Sequence, residues 1–202
     1  MSTLTTDPFS VPPAMLQAVR AAYDVPPRAY HSWSHIEAVL RHVDDVARGP
    51  GWKQPREVVL AALFHDAIYD AGRKDNEARS AELARHAIAE HLPNEGIDIE
   101  RVAAFIELTA RHGAVTNVDP DAAHFLDADM AILGAPPHIF DAYDAGVATE
   151  YAPFVAPDLY RAGRRKFLTT LLAAPRIFLS DFFHQRYDSA ARDNLRRAVD
   201  RL

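Results

Sequence analysis

The sequence predicts an all-α protein, a helical bundle of about eight or nine helices that forms a single domain over residues 1–202. Three observations favour this class. Apolar residues recur at the 3.6-residue period of an amphipathic helix along most of the chain. Proline and glycine interrupt the pattern at short intervals, as they do between helices. No alternation of apolar and polar residues lasts long enough to predict a strand.

The first third of the chain predicts three helices. Pro12 and Pro13 open the first, which ends before the break at 24–27. The second begins near Ser34, because Ser34 and Glu37 have the spacing of a capping box. Its apolar positions follow the helical period and are Ile36, Val39, Leu40, Val43 and Ala47. A glycine-rich turn at 49–51 ends it, and Pro55 opens the third helix.

The remaining two thirds continue the helical pattern. Asp75 or Asn76 can cap a helix that runs to about His91, and Asp98 can cap the next. The apolar side of the first of these two helices is predicted to hold Ala81, Ala84, Ile88 and Leu92. Further helices are predicted near 121–133, 137–150, 157–173 and 180–201.

Composition narrows the classes of function. The chain has 202 residues, 49% hydrophobic, and a net charge of −6, which argues against nucleic acid as the main partner. It has no cysteine, so disulfides and thiolate metal sites are excluded. With no leader pattern and no apolar run near the length of a membrane span, we expect a cytoplasmic protein without membrane contact. The sequence leaves a homo-oligomer open.

The most informative feature is the adjacent pair His65–Asp66, which follows the apolar run 58–64. Val58 and Val59 precede the pair by seven residues, so a continuous helix would place it on the buried stripe. A carboxylate and an imidazole are costly there unless a partner compensates them. The sequence offers two explanations, an ion pair with a neighbouring Arg or Lys, or a bound cation.

Two further segments place metal-ligand residue types in apolar surroundings. His31 and His35 lie four residues apart, with His31 in a loop and His35 on the helix if Ser34 is the cap. In the segment 125–134, Asp129 is predicted to point inward and is the better ligand, whereas Asp127 is a cap or a supporting group. Capping of backbone groups is the alternative explanation for each of these side chains.

Together the three segments supply imidazoles and carboxylates from three separate helices. Without a thiolate, this set suits Mn, Fe, Co, Ni or Zn better than Ca or Mg alone, although Mg stays open. We expect one divalent ion, and a second ion is not excluded.

These segments resemble the HD-domain superfamily of metal-dependent phosphohydrolases, whose signature is His, then His-Asp, then Asp on an all-α scaffold. The resemblance covers about residues 30–134, with 137–202 as C-terminal helices that cover this core. Four segments also resemble a bacterial subgroup of predicted HD phosphohydrolases with unknown substrate, namely Tyr30–Ile36, Phe64–Asp70, Asn76–Ala81 and Asp127–Gly134. The resemblance to the superfamily implies that the metal ligands are His35, His65, Asp66 and Asp129. His31 can support the site or exchange roles with His35, and His112 or His86 can serve a second ion.

The function that the resemblance implies is hydrolysis of a small phosphate ester, a nucleotide among the candidates, by metal-activated water. The residues predicted to neutralise the phosphate are Arg28, Lys74, Arg79 and Arg111, and those predicted to move protons are Glu77, Asp70 and His31. Each can instead be a surface charge or a helix cap. Two other functions stay open, a non-catalytic nucleotide-sensing metal-binding module and a di-iron oxygenase, which would need His86 and His112 as extra ligands.

Overall fold

The computed structural model describes residues 10–24 and 28–202. Over these ranges it contains nine α-helices, one short 3₁₀ helix and no strand, so the predicted all-α class and helix number are confirmed. The helices are α1 (Pro13–Ala22), α2 (Trp33–Arg48), α3 (Pro55–Phe64), α4 (Asn76–His91), α5 (Ile99–Thr109), α6 (Pro120–Met130), the 3₁₀ helix (Ala131–Gly134), α7 (Pro137–Tyr151), α8 (Pro157–Ala173) and α9 (Asp181–Arg201). The predicted break at 25–27 lies outside the described residues.

The chain divides into two units, one ending at Arg111 and the other formed by His112–Leu202. The first contains α1 to α5, and the second contains α6 to α9 with the 3₁₀ helix. The single domain that the sequence predicted stays a prediction. None of the helices within the described ranges is long and apolar enough to cross a membrane.

In the first unit, α3 packs against α2, α4 and α5. Six of its apolar side chains are at most 3% exposed, namely Val58, Leu60, Ala61, Ala62, Leu63 and Phe64. A helix that is apolar all round belongs at the centre of a core. Because α3 occupies that centre, the residues that immediately follow it emerge inside the first unit rather than at its surface.

The start of α2 differs from the prediction. Ser32, whose backbone is extended, is the N-cap residue, and the helix begins at Trp33. Ser34 therefore lies within the first turn, so the predicted capping box at 34–37 is wrong. The Ser32 Oγ instead lies 3.0 Å from the Ser34 Oγ. The predicted placement of the two histidines is nevertheless correct, since His31 precedes the helix and His35 is in its first turn.

Other predicted caps and faces agree with the structure. Asp75 is the N-cap residue of α4, and Asp98 caps α5 by accepting a hydrogen bond from the backbone N–H of Arg101 at 3.0 Å. The predicted apolar face of α4 is buried, at Ala81, Ala84, Ile88 and Leu92. These agreements reflect local chemistry, because caps and amphipathic faces depend on residues only a few positions apart.

In the second unit, α9 packs directly on the backbone of the 3₁₀ helix. A Cβ atom added to Gly134 would lie 2.8 Å from the carbonyl oxygen of Tyr187 in α9. Asn194, also in α9, donates hydrogen bonds to the carbonyls of Leu133 and Ala135 at 2.9 and 2.8 Å. The close approach therefore requires a residue without a side chain at position 134.

We predict that Gly134→Ala lowers the free energy of unfolding by about 1–3 kcal/mol, because the added methyl group meets rigid backbone. The matched control is Gly163→Ala in α8, where no atom lies within 4 Å of the added Cβ. We expect that control to raise stability by about 0.5–1 kcal/mol through helix propensity. Urea unfolding measures both changes, and a Gly134→Ala variant as stable as the wild type would contradict the packing described.

Candidate metal centre

Three side-chain atoms that can bind a metal ion lie close together in the first unit. The Nε2 atoms of His35 and His65 are 3.2 Å apart, and the Asp66 Oδ2 lies 3.5 Å from the first and 3.2 Å from the second. His35 is 6% exposed and His65 is 1% exposed. The three side chains form a buried group that could hold a metal ion.

The chemistry of this triangle fits a divalent ion. Nitrogen and oxygen ligands that share an ion lie about 2.0–2.2 Å from it, which places them about 3–3.5 Å from one another. Two imidazole lone pairs and a carboxylate repel at such separations unless a hydrogen-bonding proton or a metal ion lies among them. Two nitrogens and one oxygen suit a transition metal better than Ca²⁺ or Mg²⁺.

The alternative of a structural ion pair with Arg or Lys finds no support at the Asp66 carboxylate. Within the described ranges, the ion-pair partners of this carboxylate are His35 and His65. Burial works to raise the pKa of Asp66, but the charge of His65 and hydrogen bonds from both histidines outweigh it and hold that pKa well below its usual value. Asp66 is therefore an anion at neutral pH, as a metal ligand must be.

Hydrogen bonds on the far side of each imidazole orient its ligand atom. The His65 Nδ1 lies 3.0 Å from the carbonyl oxygen of Ala62, which can only accept, so Nδ1 carries a proton. In the neutral ring the lone pair is then on Nε2 and faces the site. The His35 Nδ1 lies 3.1 Å from the Tyr30 hydroxyl, which can either accept or donate. When Tyr30 accepts, His35 also presents a lone pair at Nε2. Such partners fix the tautomer of metal-ligating histidines.

The helix does not continue through His65–Asp66, so the helical geometry expected for this pair is wrong, although the burial predicted for it is confirmed at His65. The α-helix α3 ends at Phe64, and the chain turns because the Ala67 N–H donates to the carbonyl of Phe64 at 2.9 Å. The turn keeps His65 buried and leaves the side chain of Asp66 17% exposed. His65 therefore lies in the core of the first unit, and the Asp66 carboxylate lies at the edge of that core.

The last carbonyls of α3 are satisfied by side chains and by the turn itself. The His65 N–H donates to Ala61, and the Tyr23 hydroxyl donates to Leu63 at 2.8 Å. Arg28 donates to the carbonyls of Asp66 and Ala67 at 2.6 and 3.0 Å. Buried carbonyls beyond a helix end are costly without partners, so these bonds stabilise a turn that local propensity does not specify.

Helix α4 holds the chain after this turn. The Ser80 hydroxyl accepts from the Ile68 N–H and donates to the Ile68 carbonyl, while the Asn76 amide bonds to both backbone groups of Asp70. The Asp70 carboxylate accepts from the Gly72 N–H at 3.0 Å and closes a turn. Asp70 thus has a structural contact, and its predicted role in proton transfer stays a prediction.

His31 lies beside the cluster. Its ring stacks on the Tyr69 ring with centroids 4.0 Å apart, and it lies 6.0 Å from the ring of His35 in an edge-on arrangement. It is half-buried, in the loop before α2. The buried group that could hold a metal contains His35 rather than His31, which favours His35 as the first ligand.

The other residues predicted to act on the phosphate lie at the surface of the first unit. Lys74, Arg79 and Arg111 are exposed, and Glu77 is half-buried in the first turn of α4. Their predicted roles stay predictions. His86 is largely exposed, and its Nδ1 lies 2.9 Å from the carbonyl of Glu82 one helical turn earlier.

The remaining predicted ligands lie in the second unit. Asp129, near the end of α6, is half-buried, and its Oδ2 is 2.7 Å from the His112 Nε2. Asp127 is 2% exposed and accepts from the backbone N–H groups of Leu179 and Ser180 at 2.7 Å each. Burial raises the pKa of Asp127, although bonds from Ser180 and Leu179 oppose the rise. Asp127 therefore holds the chain just before α9, whose N-cap residue is Ser180. Its predicted role as a cap or a supporting group stays a prediction.

Sequence reasoning missed Tyr30 and Tyr23. Tyr30 stands next to His31 and five residues before His35, so its place in the histidine segment was a usable signal. Tyr23 is 40 residues from the carbonyl that it binds, and no local pattern could have indicated that contact.

Comparison with known proteins found no matching family model, no matching curated protein and no matching solved structure.

We predict that Tyr30→Phe weakens metal binding about tenfold or more, because His35 loses the hydroxyl that can accept its Nδ1 proton and so keep the lone pair on Nε2. Competition with a chromogenic chelator for Co²⁺ or Zn²⁺ measures the affinity. Tyr160→Phe in the second unit is the control, since its buried hydroxyl has no hydrogen-bond partner among the described residues, and it should bind metal as the wild type does. Equal affinities for Tyr30→Phe and the wild type would contradict this role of Tyr30.

Proposed function

We propose that the protein is a metal-dependent phosphohydrolase of the HD-domain superfamily, acting on a small phosphate ester. The observation that carries the proposal is the triangle of His35 Nε2, His65 Nε2 and Asp66 Oδ2, with sides of 3.2 to 3.5 Å. In the sequence these residues stand in the superfamily's order of His followed by His-Asp. The second support is the all-α scaffold that carries them.

The ligands of the proposed centre are His35, His65 and Asp66. The resemblance adds Asp129 as the signature's last residue, and that role stays a prediction. One divalent ion of Mn, Fe, Co, Ni or Zn fits this donor set. Bound there, the ion would supply the positive charge that acidifies a water molecule and polarises a phosphoryl oxygen.

The protein contributes ligand atoms that are held in fixed positions and that would neutralise part of the charge of the ion. Two neutral imidazoles and one carboxylate would leave a divalent ion with net positive charge. The buried bonds of His65 to Ala62 and of His35 to Tyr30 hold the two nitrogens in place before substrate arrives. Such preorganised electrostatics is the main catalytic contribution expected for phosphoryl transfer.

Two kinds of side chain remain for the substrate. His31 is the candidate for carrying a proton to the leaving oxygen, because its ring is half-buried and lies 6.0 Å from the ring of His35. The exposed side chains Lys74, Arg79 and Arg111 are the candidates for neutralising phosphate, since they can move without breaking a buried bond. Glu77 is the alternative proton carrier.

The competing functions use the same centre differently. A nucleotide-sensing module would bind metal and nucleotide without turnover. A di-iron oxygenase would need further imidazoles, and the exposure of His86 argues against its use as one of them. We therefore favour hydrolysis.

We predict that His65→Ala and Asp66→Ala each abolish metal retention while leaving most of the helical content, because either change removes one of three convergent ligands. Elemental analysis of purified protein and far-ultraviolet circular dichroism measure the two properties. His86→Ala is the control and should retain metal. Unchanged metal content in both ligand variants would refute the proposed centre.

We predict that the metal-loaded wild type releases phosphate from at least one member of a panel of phosphomonoesters and nucleotides, and that Asp66→Ala does not. His86→Ala should release it at the wild-type rate. A metal-replete protein that hydrolyses nothing in the panel, yet is thermally stabilised by a nucleotide, would contradict catalysis and favour the sensing module.

A further inference from the structure

Arg28 was predicted from the sequence to contact phosphate, but its guanidinium is bound to backbone. Its Nη1 atom donates to the carbonyls of His31 and Asp66 at 3.0 and 2.6 Å. Its Nη2 atom donates to the carbonyls of Ala22 and Ala67, each at 3.0 Å. The two Nη atoms carry four hydrogens, and four carbonyl oxygens accept from them. A phosphate could bind these atoms only by displacing such bonds.

The four acceptors belong to three segments that the sequence keeps apart. Ala22 ends α1, His31 lies in the loop that leads to His35, and Asp66 and Ala67 form the turn after α3. One nitrogen, Nη1, joins the second and third segments directly. These are the segments that present His35, His65 and Asp66, so the guanidinium sets the spacing between the ligand-bearing pieces of chain.

Two aromatic rings hold the guanidinium in this position. Its central carbon lies 5.1 Å from the centroid of the Tyr23 ring and 5.7 Å from that of the Tyr69 ring. Tyr23 also binds the Leu63 carbonyl at the end of α3, and Tyr69 stacks on His31. Both rings therefore bind Arg28 and one of the two segments that it joins.

We infer that Arg28 is a positioning residue of the metal centre, rather than a phosphate contact. The inference rests on the proposed metal centre and adds the residue that holds its ligands at binding distance. A lysine cannot replace it, because a single ammonium nitrogen has three hydrogens and cannot reach carbonyls that lie on two sides of a planar fork.

The test is Arg28→Lys in the full chain, with Co²⁺ as the probe. We expect Co²⁺ affinity to fall about tenfold or more, the visible absorption bands of bound Co²⁺ to change, and the rise in Tm caused by Co²⁺ to shrink. A merely structural arginine would lower the Tm of the metal-free and metal-loaded forms equally and leave that rise unchanged.

The matched control is Arg101→Lys in the same unit. Arg101 is also half-buried, donates from Nε to the Gln54 side chain at 3.0 Å and lies 4.2 Å from the centroid of the Phe105 ring, and neither of these two partners lies in a ligand-bearing segment. We expect this control to lose stability and to keep the wild-type Co²⁺ affinity and absorption spectrum.

Several outcomes overturn the inference. Wild-type Co²⁺ affinity in Arg28→Lys, with weaker binding of inorganic phosphate to the loaded protein, would assign Arg28 to the phosphate instead. A wild-type chain that binds no Co²⁺ would contradict the metal centre itself, and the role of Arg28 with it. Wild-type binding that Arg28→Lys leaves unchanged would contradict only Arg28.

A measurement on the wild type covers the case in which Arg28→Lys does not fold. Nuclear magnetic resonance of the guanidinium should show separate, slowly exchanging Nη–H signals for Arg28, because each hydrogen has its own carbonyl acceptor. These signals should not move when inorganic phosphate is added to the Co²⁺-free protein or to a diamagnetic Zn²⁺-loaded one. Rapidly averaged signals, or signals that shift with phosphate, would overturn the inference.

Discussion

The close approach of two imidazole nitrogens and a carboxylate oxygen is the constraint on which the first unit depends. Three electron-rich atoms lie 3.2 to 3.5 Å apart in a largely buried place, and such an arrangement is unfavourable unless a proton or a metal ion lies among them. The surrounding structure is organised to hold them there. Ala62 fixes the tautomer of His65, Tyr30 accommodates His35, and the two histidines keep Asp66 ionised.

The turn after α3 shows how the core supports this arrangement. A helix that ends inside a core leaves carbonyls that water cannot reach, and here the side chains of Tyr23, Arg28 and Ser80 provide the donors. The bonds stabilise an abrupt change of direction between His65 and Asp66. They also join α1, the loop before α2 and α4 to the same turn, so the ligand positions depend on contacts from most of the unit.

The second unit shows a similar use of buried carboxylates for structure. Asp127 binds the backbone N–H groups of the two residues that immediately precede α9, and Asp188 accepts from the Ile177 N–H at 2.8 Å and from Arg192 at 2.7 Å. Burial and backbone donors thus explain these two acids without a ligand. Asp129 differs from these two acids, because one of its partners is the imidazole of His112. Imidazole and carboxylate are both side chains that bind metal ions.

The sequence by itself determined the helical class, the positions of most helices and the pairing of His65 with Asp66 as an unusual buried feature. These depend on periodicity, prolines, caps and composition, which act over a few residues. Tertiary structure decided where α3 ends, that His35 rather than His31 joins the cluster, and that Arg28 binds backbone. Each of these depends on partners distant in sequence, such as Arg28 and Asp66 at a separation of 38 residues. Local patterns carry no information about such pairs, because the energy that selects them arises only when the core brings donor and acceptor together.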